Sequence, residues 1–261
     1  MLEFLLNTKK EPLSFDFEVA VNRPSRIRVK VINPDKPNTV YFDRWKDVVD
    51  KVSFEVKMPQ SAKVSKLLIG DIKNSNDDNV RLSKKIERKK LITLATCSNG
   101  NGGNSSKVRE FVKFAQDFCE NASVYGAGSY YSDKGTFRID YFDVITEHGK
   151  QLTTPARIHN DTGRMEVAKK GIINCTVPSR MAILLHEFSH FNLNEEQHDE
   201  TEADLNALKI YLGMGYPPIE AHKGFLDVFK TAPSNGNRIR YDYLKSYIDN
   251  FDEQKYRLCL P

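Results

Sequence analysis

The 261-residue chain is poor in cysteine and in long apolar runs, and it has no excess of charge of one sign. Its cysteines are far apart and form no CxxC pair, which excludes a disulfide framework and a cysteine zinc clamp; they are Cys97, Cys119, Cys175 and Cys259. No segment approaches the roughly 18 apolar residues of a membrane helix. The 39 basic and 35 acidic residues leave a net charge of only +4. The composition predicts a globular protein made in the cytoplasm, with no membrane association and no specific nucleic-acid binding.

Residues 1–72 contain short runs in which apolar and polar side chains alternate, as is typical of β-strands. The runs are SFDFEVAV (14–21), SRIRVKVINP (25–34), KVSFEVKM (51–58) and AKVSKLLIGDI (62–72). The N-terminal MLEFLLNTKKEPL predicts a first strand, because it lacks the basic start and the cleavage site of a signal peptide. We therefore predict a small β-sandwich or barrel that docks on a partner, with Trp45 as its core aromatic residue.

Residues 73–106 have the composition of a flexible polar and basic linker. KKIERKK (84–90) is a charge run, and SNGNGGNSS (98–106) cannot bury apolar area. The pattern changes at residue 107, where KVREFVKFAQDFCENA shows helical spacing. Strand-like segments follow at 136–145, 151–159 and 163–173, and the turn NDTG (160–163) predicts a hairpin between the last two. Helices are predicted at 177–194, 199–213, near 218–230 and at 238–251. Residues 107–261 should thus form an antiparallel sheet with helices, and the whole chain an α+β protein.

The sequence HEFSH (186–190) carries the clearest chemical signal. On a helix, His186 and His190 lie on one face, one turn apart, and can offer two imidazole nitrogens to a single ion. Glu187 stands beside them, where it can accept a proton from a water molecule activated by the ion. The surrounding residues are apolar, and a buried His-Glu-His cluster without an ion would cost several kcal/mol of desolvation.

A third ligand should come from the next helix, which the short connection NLNEEQ makes antiparallel. Reflection about Glu195 places Glu200 opposite His190 and Asp204 opposite His186. We therefore expect Glu200 to bind the metal and Asp204 to hold the far N–H of one histidine. His198 and Glu196 are weaker alternatives for the third ligand, because they lie in the turn.

HEFSH followed by ETEAD resembles the gluzincin metallopeptidases, with a pattern closest to the CAAX prenyl peptidases and the ImmA/IrrE-like peptidases. The resemblance implies a zincin-like domain over 107–261 that hydrolyses peptide bonds with Zn²⁺. It implies that His186, His190 and Glu200 bind the zinc ion, that Glu187 is the catalytic base, and that Asp204 supports a ligand.

A looser resemblance covers the stretch from Val108 to Phe251, including TVPSRMAILLHEFSHF and EADLNALKIYLGMGYP. This stretch is similar to metallopeptidase-like virion proteins of crAss-like tailed bacteriophages. That similarity implies a place in the virion near the portal and tail, contact with portal or tail proteins through residues 1–72, and an oligomeric ring. Besides a peptidase, it allows a structural virion protein whose main role is assembly. A repressor-cleaving peptidase of the ImmA kind ranks last, because no helix-turn-helix is evident.

Other residues carry weaker signals. GRMEVAKKG (163–171) is our candidate for a sheet edge that binds an extended peptide, and its lysines would protect an exposed edge. An oxyanion-stabilising group could be His222, Tyr211 or a tyrosine of RYDYLKSY (240–247), although each of these is more often a core or surface residue. His148 and His159 lie in polar, turn-like surroundings and should be exposed.

Overall fold

The computed structural model describes residues 1–73, 77–91, 103–221 and 234–251. The chain divides into two compact units, Met1–Ile92 and Thr93–Pro261. His222, which we considered as an oxyanion stabiliser, lies outside the described residues. The same is true of Cys97, of Cys259 and of most of the Gly/Asn-rich segment of the predicted linker. Of the helix predicted near 218–230, residues 218–221 are helical and the remainder is also outside.

The first unit contains two antiparallel sheets. One sheet consists of β1 (Leu2–Asn7), β3 (Ser25–Asn33), β4 (Lys36–Val48) and β6 (Val64–Asp71), in the order β1-β6-β3-β4. The other consists of β2 (Leu13–Val21), β5 (Lys51–Met58), β7 (Val80–Leu82) and β8 (Glu87–Lys90), all arranged around β2. Alternate residues such as Phe17 and Val29 are buried, which is the consequence of the two-residue period. The strand pattern thus predicted this antiparallel β architecture correctly.

The boundary of the first unit differs from the predicted one. β7 and β8 fall inside the segment that composition indicates as a linker, yet Val19 pairs with Leu82 and Asp16 pairs with Glu87. The first unit therefore extends to Ile92 instead of residue 72. The charge run did not reveal β8, because a strand can pair through its main-chain groups while all its side chains remain exposed.

Trp45 is not the core aromatic residue that we expected in this unit. It is 54% exposed on β4, opposite Arg28 of β3. The core contains Tyr41 and several phenylalanines. Among these, the rings of Phe17 and Phe54 stack with centroids 5.7 Å apart. Along β4, Trp45 takes an outward position, because the face of the sheet follows from the register and not from the size of the side chain.

The second unit has a four-stranded sheet in the order β13-β14-β10-β9. Its strands are β9 (Gly128–Tyr131), β10 (Arg138–Phe142), β13 (Ala156–Ile158) and β14 (Met165–Ala168), and a separate short hairpin joins β11 (Thr146–Glu147) to β12 (Lys150–Gln151). The hairpin between β13 and β14 is antiparallel, as the turn predicted. However, β10 and β14 are parallel, so the sheet is mixed and not antiparallel. The intervening chain is long enough for the crossover that a parallel pair needs.

Besides the helical residues 218–221, five helices with described bounds accompany the sheet. They are α1 (Gly103–Asn121), α2 (Lys169–Ile172), α3 (Val177–Asn192), α4 (Glu200–Gly213) and α5 (Asn235–Asp249). α2 replaces the end of the strand expected at 163–173. α1 and α3 cover the inner face of the sheet, where Phe111, Phe188 and Ile139 are buried. No helix in the described ranges is long and apolar enough to cross a membrane. The fold class is thus α+β, as predicted.

Candidate metal centre

Helix α3 begins where the sequence supplies capping groups. The hydroxyl of Thr176 accepts a hydrogen bond from the N–H of Ser179 at 3.3 Å, and Pro178 lies in the first turn, where a missing N–H is tolerated. Further along the helix, the ring of Phe188 stacks on Phe111 of α1 with centroids 4.2 Å apart. The apolar face of α3 is therefore anchored in the core, which sets the direction of the polar side chains on its other side.

His186 and His190 converge on one point. Their Nε2 atoms are 3.1 Å apart, and the two rings are nearly perpendicular, at 89°. His190 is buried, and the side chain of His186 is 17% exposed. Nδ1 of His190 donates a hydrogen bond to the carbonyl oxygen of Gln197 at 2.6 Å. This bond places the proton on Nδ1 and leaves the Nε2 lone pair directed at the cluster.

Glu200 is the first residue of α4, and the helix start is fixed by its N-cap. The carboxylate of Asp199 accepts a hydrogen bond from the N–H of Thr201 at 2.8 Å. Glu200 Oε2 lies 3.4 Å from His186 Nε2, and its Oε1 lies 3.5 Å from His190 Nε2. The ligand atoms of these three residues all lie within 4.8 Å of one another.

Asp204 lies one turn after Glu200 and is 1% exposed. Its Oδ1 is 2.8 Å from His186 Nδ1. A carboxylate in this position holds the ring and favours the tautomer whose Nε2 lone pair faces the cluster. This arrangement agrees with the expectation that α3 and α4 run antiparallel about a turn at Glu195, so that both acidic residues of α4 lie against the histidines of α3.

The distances in this cluster fit an ion. Ligand atoms of a tetrahedral zinc site with bonds of about 2.0–2.1 Å lie about 3.3–3.4 Å apart. The two histidine Nε2 atoms are 3.1 Å apart, and each lies 3.4–3.5 Å from a different oxygen of Glu200. With one ligand atom taken from each residue, all three lie within 4.8 Å of one another. Two imidazole lone pairs and a carboxylate also face one another, an arrangement that a cation stabilises. The donors present therefore fit a divalent metal ion.

Without an ion, the charges of the cluster shift the pKa values in opposite directions. Burial by itself lowers the pKa of His186, but Asp204 and Glu200 outweigh burial and raise it to about 10. The hydrogen bond with His186 is the main reason that the pKa of Glu200 falls to about 2. Burial lowers the pKa of His190.

Glu187 connects α3 to the edge of the sheet. Burial raises the pKa of Glu187 to about 7, and its carboxylate accepts a hydrogen bond from the backbone N–H of Ile158 on β13. β13 is an edge strand of its sheet. Our expectation for GRMEVAKKG was therefore wrong, because its strand β14 lies between β13 and β10. Its lysines instead open helix α2.

The alternative third ligands have other surroundings. Nδ1 of His198 lies 3.4 Å from Nδ2 of Asn160 at the surface, and the side chain of Glu196 is exposed. His148 is exposed, as predicted. His159, in contrast, joins a polar cluster, with its Nε2 3.1 Å from the carboxylate of Glu166.

Three of the tyrosines considered as oxyanion stabilisers, Tyr211, Tyr243 and Tyr247, have other surroundings. The hydroxyl of Tyr211 donates a hydrogen bond to the carbonyl of Pro217 at 3.2 Å, so this ring belongs to the core. Tyr243 is exposed, and Tyr247 contacts Phe251. None of these observations places a tyrosine hydroxyl at the histidine pair.

The structure adds one residue that the sequence analysis missed. Arg240, at 15% side-chain exposure, reaches from α5 to both carboxylates of α4. No motif marks it, because it lies 36 residues beyond Asp204 and the helix that carries it shows no chemical signature.

Comparison of the chain with protein-family models, with curated protein sequences and with solved structures gives no match. The site itself therefore provides the evidence for the function of this chain.

Proposed function

We propose that this protein is a zinc-dependent metallopeptidase that cleaves peptide bonds. The observation that carries the proposal is the convergence of His186, His190 and Glu200, with Nε2 atoms 3.1 Å apart and a carboxylate 3.4–3.5 Å from both. Two histidines and one glutamate form a donor set typical of catalytic zinc, in which the fourth position is left for water or substrate.

A bound zinc ion would lower the pKa of a water molecule to about 7 and polarise the carbonyl of the scissile bond. The carboxylate of Glu187 would accept the proton of that water and deliver it to the leaving amine. Its position supports this role, since it adjoins His186 on α3 and is held by the N–H of Ile158. Asp204 would keep His186 in the tautomer that binds a metal.

An extended peptide would bind along the outer edge of β13. Pro155 and His159 are hydrogen-bonded to β14, through Ala168 N–H to Pro155 O at 2.9 Å and His159 N–H to Arg164 O at 2.8 Å. Because main-chain groups alternate along a strand, those of Ile158 point away from β14. The hydrogen bond from Ile158 to Glu187 therefore supports a substrate path along this edge, beside the proposed base.

Metal analysis and a cleavage assay test this function. We expect about one zinc ion per chain in the wild-type protein and in Glu187→Gln, and none in His186→Ala. Glu187→Gln should retain the metal but cleave an unfolded protein substrate at least about a hundredfold more slowly, because it lacks the base. Glu196→Gln, an equivalent change in the exposed turn, is the matched control. Wild-type protein without stoichiometric zinc contradicts the metal centre, and a fully active Glu187→Gln contradicts the mechanism.

The virion association, the docking role of residues 1–72 and the oligomeric ring remain proposals derived from the phage resemblance. The same Glu187→Gln variant separates a peptidase from a structural virion protein. A structural role predicts normal particle assembly and no cleavage product to lose.

A further inference from the structure

Arg240 joins the two acidic residues behind the histidine pair. Its Nη2 lies 3.0 Å from Glu200 Oε2 and 2.7 Å from Asp204 Oδ2. Its Nε donates a second hydrogen bond to Asp204 Oδ2 at 2.9 Å. One guanidinium on α5 therefore contacts the proposed metal ligand and the carboxylate that orients another ligand.

The two carboxylates need such a partner. Glu200 and Asp204 stand four residues apart on α4, where like charges repel each other. Asp204 is almost completely buried, and a buried carboxylate is costly unless it is paired and hydrogen-bonded. His186 contacts Oδ1 of Asp204, and Arg240 forms an ion pair with Oδ2 of the same carboxylate. Oδ2 of Asp204 is thus hydrogen-bonded by Arg240 on α5, whereas Oδ1 lies at ion-pair distance from His186 on α3 without a hydrogen bond of its own.

The contact with Glu200 is of a different kind, because half of this side chain is exposed. A glutamate at the first position of a helix can turn outward to solvent, since few neighbours restrict it. The guanidinium holds Oε2 at the same time as the carboxylate faces both histidines. Arg240 therefore selects the inward conformation that the histidine pair requires.

We infer that Arg240 is a positioning residue of the metal centre: it holds Glu200 towards the two histidines and keeps Asp204 against Nδ1 of His186. This inference rests on the proposed function, since it assumes that the cluster binds a metal. It differs from a purely structural role in which the ion pairs only attach α5 to α4. A structural tie would affect the stability of the protein but not the coordination of the ion.

The experiment compares Arg240→Met and Arg240→Gln with wild type, with Arg238→Met on the exposed side of α5 as matched control. Zinc affinity is measured by competition with a chromophoric chelator, and coordination geometry by the visible absorption of the Co²⁺-loaded proteins. Circular dichroism establishes that each variant is folded. We expect both Arg240 variants to bind zinc about tenfold to a hundredfold more weakly, the usual effect of losing a group that orients a ligand. Their Co²⁺ spectra should change, and Arg240→Lys should recover part of the affinity because it restores the charge.

Wild-type affinity and an unchanged Co²⁺ spectrum in folded Arg240→Met or Arg240→Gln overturn the inference, as does an equal loss in Arg238→Met. If Arg240→Met does not fold, Arg240→Gln and Arg240→Lys decide the question by the same comparison. Failure of the proposed function gives different results. Without a metal centre the wild-type protein itself binds no zinc, and failure of the peptidase mechanism alone appears as full activity of Glu187→Gln with zinc binding unchanged.

Discussion

Asp204 Oδ1 lies 2.8 Å from His186 Nδ1, on the side of the ring opposite the Nε2 atom that faces His190. A buried carboxylate in this position makes the imidazole a better electron donor and fixes its orientation. The contact thus joins the pair Glu200 and Asp204, four residues apart on α4, to the pair His186 and His190, four residues apart on α3.

Asp204→Asn should weaken zinc binding by about tenfold to a hundredfold while the protein remains folded. The amide has nearly the same shape, but it lacks the charge that favours the correct tautomer of His186. Zinc affinity by chelator competition measures the effect. Asp242→Asn, a substitution at an exposed position of α5, should bind zinc as wild type does. Equal affinities in Asp204→Asn and wild type would contradict the assigned role of Asp204.

Removal of the metal should destabilise the second unit. An ion that binds only the folded state, present at a hundred times its Kd, stabilises it by about 2.7 kcal/mol. We therefore expect a chelator to lower the unfolding temperature of the wild-type protein, measured by calorimetry. His186→Ala should unfold at the same temperature with and without chelator, and His148→Asn should respond as wild type does. A wild-type transition that is indifferent to both zinc and chelator argues against the site.

Gly163→Ala should destabilise the hairpin that carries β13. Gly163 has φ +67°, and a Cβ there would lie 2.7 Å from the ring of Phe191 on α3. The left-handed conformation alone costs a residue with a Cβ about 1–2 kcal/mol. Gly135→Ala isolates that cost, because its φ is +72° but no atom lies within 4 Å of the added Cβ. Urea denaturation should show a larger loss of stability for Gly163→Ala, and similar losses would contradict the close approach to Phe191.

Acid should destabilise the second unit through Glu166. Burial alone raises the pKa of Glu166, but the hydrogen bonds from Arg157 and His159 outweigh it, so the folded pKa lies below the ordinary value of 4.5. A group with a lowered folded pKa contributes stability above its unfolded pKa and loses it as pH falls through the folded pKa. The free energy of unfolding should therefore decrease as the pH is lowered below about 4.5.

Glu166→Gln cannot lose a charge in this range, so its stability should depend less steeply on pH than that of the wild type. Glu195→Gln is a suitable control, because Glu195 is exposed. Parallel pH profiles of Glu166→Gln and wild type would show that this carboxylate does not contribute to acid unfolding.

Much of the His186/His190/Glu200 cluster could be predicted from local spacing. His186 and His190 had to share a helix face, and the short connection to α4 made Glu200 and Asp204 their natural neighbours. The strands of the first unit were equally readable, since their two-residue period is a property of consecutive residues. These features depend on interactions within a few turns or one connection of the chain.

The pairing of distant segments could not be predicted in the same way. Arg180 shows why: it is fully buried, and its guanidinium donates hydrogen bonds to the main-chain carbonyls of Cys119, Ile172 and Ile173. Main-chain acceptors exist at every residue, so no sequence pattern distinguishes the ones that are used. Main-chain donors are equally general, and for this reason the sequence did not predict the hydrogen bond from Ile158 to Glu187 or the pairing of β8 with β2.

By itself, the sequence determined the α+β character of the chain, the helix with its two histidines, and the acidic residues that face them, because periodicity and short connections encode short-range geometry. Only the tertiary structure decided that β10 and β14 run parallel, that β13 forms the edge beside Glu187, and that Arg240 contacts both Glu200 and Asp204. These relationships join segments far apart in the chain. They follow from the packing of a common core, which imposes one arrangement on elements whose local sequences permit several.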